Sequence, residues 1–511
     1  MASLDKPNLI LPLALTFNER DTLGYTSSFT NGRDQQKKNM FYEIAKNPLT
    51  QKGTLTLSKR PGVTIDADTF GAVSSQAAYL VISDLGKGAA SGDNPIVFST
   101  ATIGTGQTNG TIIASNSAST ATVHSASSAA GLVPAFVDRT NLSGVENIVL
   151  QLRGISNAVP QRVFYGTAVN SWTEIADSDF TGVNHRGKME HLDGYALYMD
   201  STNKVWNTDL NSLASVGAAS FVTKAATQDI ANGLIKFKNQ IIAMGDDTAE
   251  PFFNAGNASG SPLTRIPQLN DRVGLSPCNA WQTAGTKATH YYAIVQNRAY
   301  FVGRRGGGQK SIGLFSYDGS RYEKVSPSYI DKMLSENEST FLSVNNFGFY
   351  GQQAVAIELS FAAQWLMFFP DWKDWFIWTS TTFRPVTNGT FFLSSGATNQ
   401  GRIYSYTTAN NYQDNEVNFS AEAAFKIPTN GYHLKRIPMW GVEADTDTSA
   451  NNLTVRYSDD DTSSYGAFGT IDLTLQKKVK YRGGAFMERH IQLVSNNARP
   501  VRLHNFIATI K

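Results

Sequence analysis

A short segment rich in arginine and glycine has the residue types that fit phosphate binding. It reads Gly303-Arg304-Arg305-Gly306-Gly307-Gly308, and Lys310 follows it. Glycine-rich loops hold phosphates when they lead into a helix, whose first amides bind the anion. Strand-like patterns flank this segment on both sides, so we predict a hairpin turn instead of a nucleotide site. Arg304, Arg305 and Lys310 then form a basic loop, which is either a solvated tip or a contact to DNA phosphates or to another subunit.

Sequence signatures of catalysis and metal binding are missing. The chain has no phosphate-loop pattern, no Gly-x-Ser-x-Gly elbow and no His-Glu-x-x-His pair. Its one cysteine, Cys278, excludes an intrachain disulfide and a zinc site built from cysteines. We therefore predict no enzyme activity, no catalytic residue, no cofactor and no metal.

An acidic run, Asp459-Asp460-Asp461, is the nearest approach to a binding motif. With Ser458 and Tyr465 it resembles a degenerate Asp-box, a folding element of sialidase-like propeller blades. A plain β-turn and a calcium loop are the alternatives.

Aromatic residues are concentrated in residues 365–378, which hold four of the eight tryptophans. An exposed aromatic surface could bind sugars or stack on bases. The same pattern fits a hairpin that turns at Pro370-Asp371 and fills a sheet core. In that hairpin Trp365, Met367 and Phe369 share one face of the first strand, and Trp375 and Ile377 share one face of the second.

The elements that position these residues are predicted to be β-strands. Charged residues make up 17% of the chain, against about 25% in an average protein, and glycine and aromatic residues are abundant. Units of three or four short strands recur at roughly 45–60 residues, a spacing typical of propeller blades. We predict an all-β fold, a β-propeller of about six blades, with a string of β-sandwiches as the alternative. One helix is expected, capped by Ser326, beginning at Pro327, burying Ile330, Met333 and Leu334, and ending near Glu338.

Three regions are predicted along the chain. Residues 1–62 form an extended N-terminal arm with a first strand, residues 63–410 the propeller, and residues 411–511 a C-terminal β-domain. Residues 99–131 are a low-complexity insertion without charge, either a β-hairpin or a disordered loop. We expect no signal peptide, because Pro12 interrupts the N-terminal apolar run and no basic region precedes it. We expect no membrane span, because no apolar stretch is long enough.

The order of several segments resembles a bacteriophage tail family. Asn39-Met40-Phe41-Tyr42-Glu43 and Lys59-Arg60-Pro61-Gly62 resemble its opening. Further similar segments lie at 271–275, 297–303, 312–326, 329–334, 348–351, 365–378, 457–460 and 489–502. The family is the packaged-DNA stabilization, or tail-nozzle, proteins of short-tailed phages, related to tail tubular protein B.

The resemblance implies a structural virion protein. Members form homohexameric rings below the portal and its adaptor proteins, retain packaged DNA, and conduct it during ejection. The implied partners are other copies of the chain, the adaptor, a tail needle or tail fibres, and double-stranded DNA bound without sequence specificity. The implied location is the virion tail, assembled in the host cytoplasm. A glycan-binding or glycan-cleaving propeller is the alternative, supported by the aromatic hairpin and the degenerate Asp-box.

Two regions outside the predicted propeller carry net positive charge. They are residues 20–62 and the C-terminal domain, and each is a candidate contact to the adaptor.

Overall fold

The computed structural model is nearly all β-structure in the residues that it describes. These are residues 9–14, 36–46, 53–65, 77–82, 96–102, 110–115, 120–124, 132–154, 162–168, 170–227, 229–257, 260–276, 291–306, 312–337, 341–359, 364–380, 383–385, 391–394, 403–406, 412–427, 433–460, 464–475 and 478–511. The predicted all-β class is confirmed.

The chain forms two compact units. The first is Met1–Thr64, Gln364–Ser380 and Ser405–Lys511, and the second is Ile65–Ala363 and Thr381–Tyr404. We call them the terminal unit and the propeller unit. Residues 364–380, which hold the aromatic hairpin, belong to the terminal unit although they lie inside the range 63–410.

The propeller unit consists of antiparallel meanders in which strands adjacent in sequence are paired, except that Val273–Leu275 pairs with Arg298–Arg305 and not with Tyr292–Val295. Sheet by sheet, the strands are Ala77–Ile82, Ile96–Thr102, Gly110–Ser115 and Thr120–His124; Leu132–Leu142, Val145–Gly154, Arg162–Ala168 and Ser171–Glu174; His185–Leu192, Tyr195–Asp200, Lys204–Thr208 and Val216–Thr223; Ala231–Phe237, Gln240–Gly245, Ala249–Asn254 and Leu263–Arg265; Val273–Leu275, Tyr292–Val295, Arg298–Arg305, Ile312–Tyr317 and Tyr322–Lys324; Phe341–Phe349 and Gln352–Leu359; and Phe383–Pro385 with Phe391–Ser394. Four-stranded meanders of this kind are the blades of propellers.

Tight turns close the first hairpin of several meanders. Both turn residues have positive φ in Ser143-Gly144, Asp193-Gly194, Gln296-Asn297 and Tyr350-Gly351. This is the type I′ geometry, whose twist matches that of the paired strands. Local turn chemistry therefore fixes the register of these hairpins.

In the low-complexity tract the sequence pattern predicts short strands at 111–113 and 120–123, and the structure contains both. Gly110–Ser115 pairs with Thr120–His124, and together they continue the sheet begun by Ala77–Ile82 and Ile96–Thr102. Its remaining residues lie outside the described part of the chain.

The core of the propeller unit lies between neighbouring meanders. One cluster joins Val149 and Val163 to Met189, Tyr198 and Trp206 of the next meander. Burial of each such side chain contributes about 1.5–3 kcal/mol. A second cluster repeats this packing one meander further along the chain, and includes Leu197, Met199, Leu234, Ile241 and Phe252.

Two sheets make up most of the terminal unit. One contains Leu9–Pro12, Met40–Lys46, Gly53–Lys59, Arg502–Thr509, Met439–Ala444 and Val479–Tyr481. In the other, Gln364–Phe369, Asp374–Thr379, Lys37–Lys38, Ala421–Lys426, His490–Ser495, Asn452–Ser458 and Gly466–Asp472 are neighbours in that order. Further short strands of the chain are Val63–Ile65, Ile403–Tyr406, Gln413–Asp414, Val417–Asn418, Lys435–Arg436 and Ala485–Phe486.

The aromatic hairpin is a core element. Its strands pair from Gln364 with Thr379 to Phe369 with Asp374. Aromatic side chains on both faces are buried, Trp365, Phe368, Phe376 and Trp378 among them. The hairpin interpretation is confirmed, and neither face is free to bind a sugar or a base.

The predicted helix begins slightly later than the sequence indicates. It runs from Ser328 to Glu336 with Pro327 at the cap position, and it buries Ile330 and Leu334. The prediction of Ser326 as the cap is wrong. Its hydroxyl instead accepts from the Leu314 amide at 2.9 Å and donates to Asp331. Two further helical segments, Ser178–Thr181 and the 3₁₀ turn Pro267–Leu269, were not predicted.

The sequence pattern predicts strands at 469–475, 501–504 and 506–510 in the C-terminal domain, and the structure has strands there with other bounds. The strand expected at 469–475 is Gly466–Asp472, which includes a register shift beside its partner strand. The two strands expected at 501–504 and 506–510 form one strand, Arg502–Thr509, because it pairs continuously with Met439–Val442.

Candidate functional site

The first strands of neighbouring meanders lie side by side, and one tyrosine joins two of them. These strands, His185–Leu192 and Ala231–Phe237, are almost completely buried. The Tyr291 hydroxyl oxygen accepts from the amides of Lys188 and Leu234, both at 3.1 Å, and it donates to the Leu234 carbonyl. The space between these two strands is therefore filled by a side chain.

Two glycines make room for this tyrosine. Gly187 has φ +75° and Gly233 has φ +154°. A Cβ on Gly187 would lie 2.5 Å from the Gly233 Cα and 2.9 Å from the Tyr291 hydroxyl. Glycine inside a strand often marks a close backbone approach, and that is its role at both positions.

Charged groups beside this contact are compensated within the protein. Lys188 Nζ lies 3.6 Å from Glu190 Oε1, and Tyr292 donates its hydroxyl to the same oxygen at 2.9 Å. Glu190 is only 1% exposed. The three side chains form a polar group, which accounts for charge in a largely apolar surrounding.

The two strands joined by Tyr291 do not by themselves carry the carboxylate pair of a glycosidase. Glycoside cleavage uses two carboxylates that flank the scissile bond. The strands His185–Leu192 and Ala231–Phe237 contain one carboxylate between them, Glu190. No cluster of three or more potential metal ligands occurs among the described residues.

His185 makes the stability of the propeller unit depend on pH. It is buried against Phe180 and Tyr198, and in its neutral form Nε2 donates to the Phe180 carbonyl at 2.8 Å. Burial lowers its pKa from 6.5 to about 4, although the Phe180 hydrogen bond and the charge of Asp200 act in the opposite direction. Between pH 4 and pH 6.5, His185 therefore carries a proton in the unfolded state and none in the folded state.

We therefore expect the free energy of unfolding to fall as the pH drops from 6.5 to 4, by up to about 3 kcal/mol. Urea unfolding across this range measures the effect. A His185→Gln variant should lose most of this slope, and an unchanged slope in the variant would contradict the assignment.

The structure describes two of the three predicted basic residues. Arg304 and Arg305 lie in the strand Arg298–Arg305, paired with Gly274 and Val273, and not in the predicted turn. Arg305 is exposed, and its guanidinium is 3.9 Å from Asp271. Lys310 lies outside the described residues. The predicted hairpin is present, because Arg298–Arg305 pairs antiparallel with Ile312–Tyr317. The placement of the two arginines in its loop is wrong, because strand pairing continues through them. A contact to DNA or to a subunit stays a prediction.

The acidic run is explained by local structure. Asp459 accepts two hydrogen bonds from the buried Arg489, at 2.7 and 2.6 Å. Asp460 accepts from the Ser464 amide at 3.1 Å. These contacts fit the turn interpretation, and Asp461 lies outside the described residues.

A buried ion pair holds the N-terminal arm within the terminal unit. Arg60 is fully buried and donates to both oxygens of Asp414, at 2.9 and 2.6 Å. It also donates to Asn39 Oδ1 at 3.1 Å and to the Thr379 carbonyl at 3.0 Å. Asn39, with φ +53°, is the point at which the arm leaves one sheet and enters the other. Four distant parts of the sequence thus meet at one guanidinium.

Lys59, which precedes Arg60 in the sequence, makes the stability of the terminal unit depend on pH as well. Burial and the neighbouring Arg60 charge lower its pKa from 10.5 to about 7, while Asp414 acts in the opposite direction. Above pH 7 the unfolded chain keeps a proton on Lys59 that the folded chain has released.

The free energy of unfolding should therefore rise with pH between 7 and 10, by up to about 1.4 kcal/mol per pH unit. Thermal unfolding at a series of pH values tests this, and Lys59→Met should flatten the curve; a variant that keeps the wild-type slope would refute it.

Sequence reasoning did not identify Tyr291, Arg60 or Asp414 as key residues. The glycines Gly187 and Gly233 inside strand patterns were a usable signal for a close approach. Nothing local distinguishes Asp414 as the partner of Arg60.

Comparison with known proteins supports a phage protein. Residues 152–364 match the family described as "Bacteriophage P22 Gp10, beta-propeller", which confirms the predicted propeller. No curated protein matches the chain. Among the described residues, no helix is long and apolar enough to cross a membrane.

Several solved structures are similar in outline. An exo-beta-1,3-galactanase from Phanerochaete chrysosporium has a TM-score of 0.30 and 10% identity, covering 88% of this chain and 100% of that one. BamB from Moraxella catarrhalis has a TM-score of 0.34 and 12% identity, covering 71% and 94%. The WD40 domain of Toxoplasma gondii coronin has a TM-score of 0.33 and 8% identity, covering 74% and 89%.

The family match supports a phage tail-related structural protein and a virion component. A phage structural family also fits a protein without enzyme activity.

Proposed function

We propose that this chain is a subunit of the tail nozzle of a short-tailed phage. Identical copies form a hexameric ring that extends the portal and adaptor channel, retains packaged DNA, and conducts it during ejection. The observation that carries the proposal is the match of residues 152–364 to the phage P22 Gp10 propeller family. In this role the protein is assembled in the host cytoplasm and resides in the virion tail.

The Tyr291 contact bears on where DNA passes. Tyr291 occupies the space between the strands His185–Leu192 and Ala231–Phe237. We infer that the conduit is formed between subunits of the ring and not by a hole inside one propeller.

The net charge of the chain is consistent with a conduit for DNA. The chain carries a formal net charge of +2. A strongly basic wall would bind phosphates through counterion release and slow the passage of DNA. A nearly neutral protein permits sliding, and any contact to DNA in this role is independent of base sequence.

The adaptor is the proposed partner on the head side, and a needle or fibres are the proposed partners at the distal end. The N-terminal arm is one candidate adaptor contact. Deletion of residues 1–35 removes the strand Leu9–Pro12 but keeps the arm strands from Lys37 onward. Undiminished binding of this shortened chain to the adaptor would exclude the deleted segment as the contact.

Electron microscopy of the purified chain, alone and with portal and adaptor, tests the function. Sixfold rings, formed alone or on the adaptor, are the expected result. A monomer or trimer that never joins those proteins would overturn the proposal. Hydrolysis of a host polysaccharide by such a species would favour the glycan-cleaving alternative.

A further inference from the structure

An exposed ribbon at one edge of the terminal unit combines positive charge with apolar side chains. It consists of residues 434–436 and 480–487, which we call the cationic ribbon. Lys435 pairs with Phe486, and Tyr481 pairs with Met439. Between them the Arg482 amide donates to the Pro438 carbonyl at 2.9 Å. Backbone pairing therefore holds the two segments side by side as one surface.

The charges of the ribbon are not neutralised by the described part of the protein. Arg436, Lys480 and Arg482 are exposed, and Lys435 is half-buried. None of these four forms an ion pair with a carboxylate of the described residues. The nearby Glu488 is engaged with Lys426 at 3.1 Å. Within the described part of the chain, the ribbon thus presents positive charge without a carboxylate partner.

Large apolar side chains stand among these cations. Leu434 is 65% exposed, Tyr481 58% and Met487 54%. Tyrosine, methionine and arginine are enriched at protein interfaces, whereas surfaces that bind DNA are more uniformly polar. This composition favours a protein partner that is acidic around an apolar contact.

The propeller unit presents a surface with that chemistry, which we call the acidic tip. It contains Asp193, Asp209 and Leu210, the last 56% exposed. The Asn211 amide donates to the Gly194 carbonyl at 2.8 Å and fixes the two turns together. Both carboxylates are held by neutral donors, Asp193 by Asn254 at 3.0 Å and Asp209 by Ser215 at 2.6 Å. Neither carboxylate forms an ion pair with the described residues.

We propose that the cationic ribbon of one copy binds the acidic tip of the next copy. The inference rests on the proposed function, since it names the contact by which the ring would form. Two different patches that are complementary and belong to the same chain make a head-to-tail contact, which closes into a ring when the rotation permits. Charge complementarity sets partner choice and orientation, and the apolar residues supply buried area.

Charge reversal tests the contact. Arg436→Glu with Lys480→Glu should abolish the rings or raise the protein concentration for half-assembly by roughly tenfold or more, because like charges would face each other. Combining this pair with Asp193→Arg and Asp209→Arg in the same chain should restore assembly. All four side chains are exposed, and circular dichroism with thermal unfolding checks that each variant is folded.

A matched control is Lys332→Glu with Arg456→Glu, which makes the same net charge change at exposed residues that do not belong to the ribbon. The control should assemble like the wild type. Wild-type rings that persist in the ribbon variant would overturn this contact and leave the proposed function standing. A wild type that never forms rings, even with portal and adaptor, would overturn both. Loss of DNA binding with rings intact would assign the ribbon to DNA and also refute the contact.

Discussion

Replacement of Arg60 by alanine is expected to destabilise the terminal unit by about 3–5 kcal/mol, because it leaves the buried Asp414 carboxylate without its cation. The same change removes the donor to the Thr379 carbonyl and the contact to Asn39. Urea unfolding, followed by tryptophan fluorescence, measures the loss. Trp378 is a suitable reporter because its ring lies 5.8 Å from the guanidinium.

Companion variants separate charge from packing in this prediction. Arg60→Met with Asp414→Leu should recover much of the stability, since replacing both charges removes the uncompensated one. Arg321→Ala is the surface control: it deletes an exposed ion pair to Asp318 and should change stability by less than about 1 kcal/mol. Equal effects of Arg60→Ala and Arg321→Ala would contradict the buried-pair account.

Substitution of Gly187 by alanine is the second large effect we expect. A Cβ at this position meets the Gly233 backbone at 2.5 Å and also imposes the cost of a positive φ. Overpacking and backbone strain together should lower the free energy of unfolding by about 2–5 kcal/mol. Thermal or urea unfolding of the chain measures this change in the propeller unit.

Gly144 provides a matched control for the steric part. Its φ is +85°, and a Cβ there would meet nothing within 4 Å. Gly144→Ala should therefore show only the strain of the left-handed backbone, about 1 kcal/mol. Tyr291→Phe should also destabilise, by about 1–3 kcal/mol, since the Lys188 and Leu234 amides lose their acceptor. If Gly187→Ala cost no more than Gly144→Ala, the close approach at Tyr291 would not be the reason for the glycine.

These predictions connect stability with the proposed role. A conduit subunit must stay rigid while DNA passes, and its rigidity depends on polar contacts that span long stretches of sequence. Arg60 and Asp414 are 354 positions apart, yet their contact ties the N-terminal arm to the C-terminal strands. Loss of this contact is expected to release the arm first.

The sequence by itself determined the local structure of this protein. Apolar patterns predict strands at 195–199 and 240–244, and the structure has Tyr195–Asp200 and Gln240–Gly245 there, with asparagine in the adjoining turns. The apolar spacing of Ile330 and Leu334 predicted the one long helix. Residues close in sequence determine these features, through backbone sterics and side-chain periodicity.

Only the tertiary structure decided which segments meet. It assigned the hairpin of residues 364–380 to the terminal unit, paired Arg60 with Asp414, and placed Tyr291 between two strands. It also continued a strand through Arg304 and Arg305, where glycine content had indicated a turn. Each outcome depends on the burial of charge or apolar surface against a distant segment, and no local pattern records which distant segment that is.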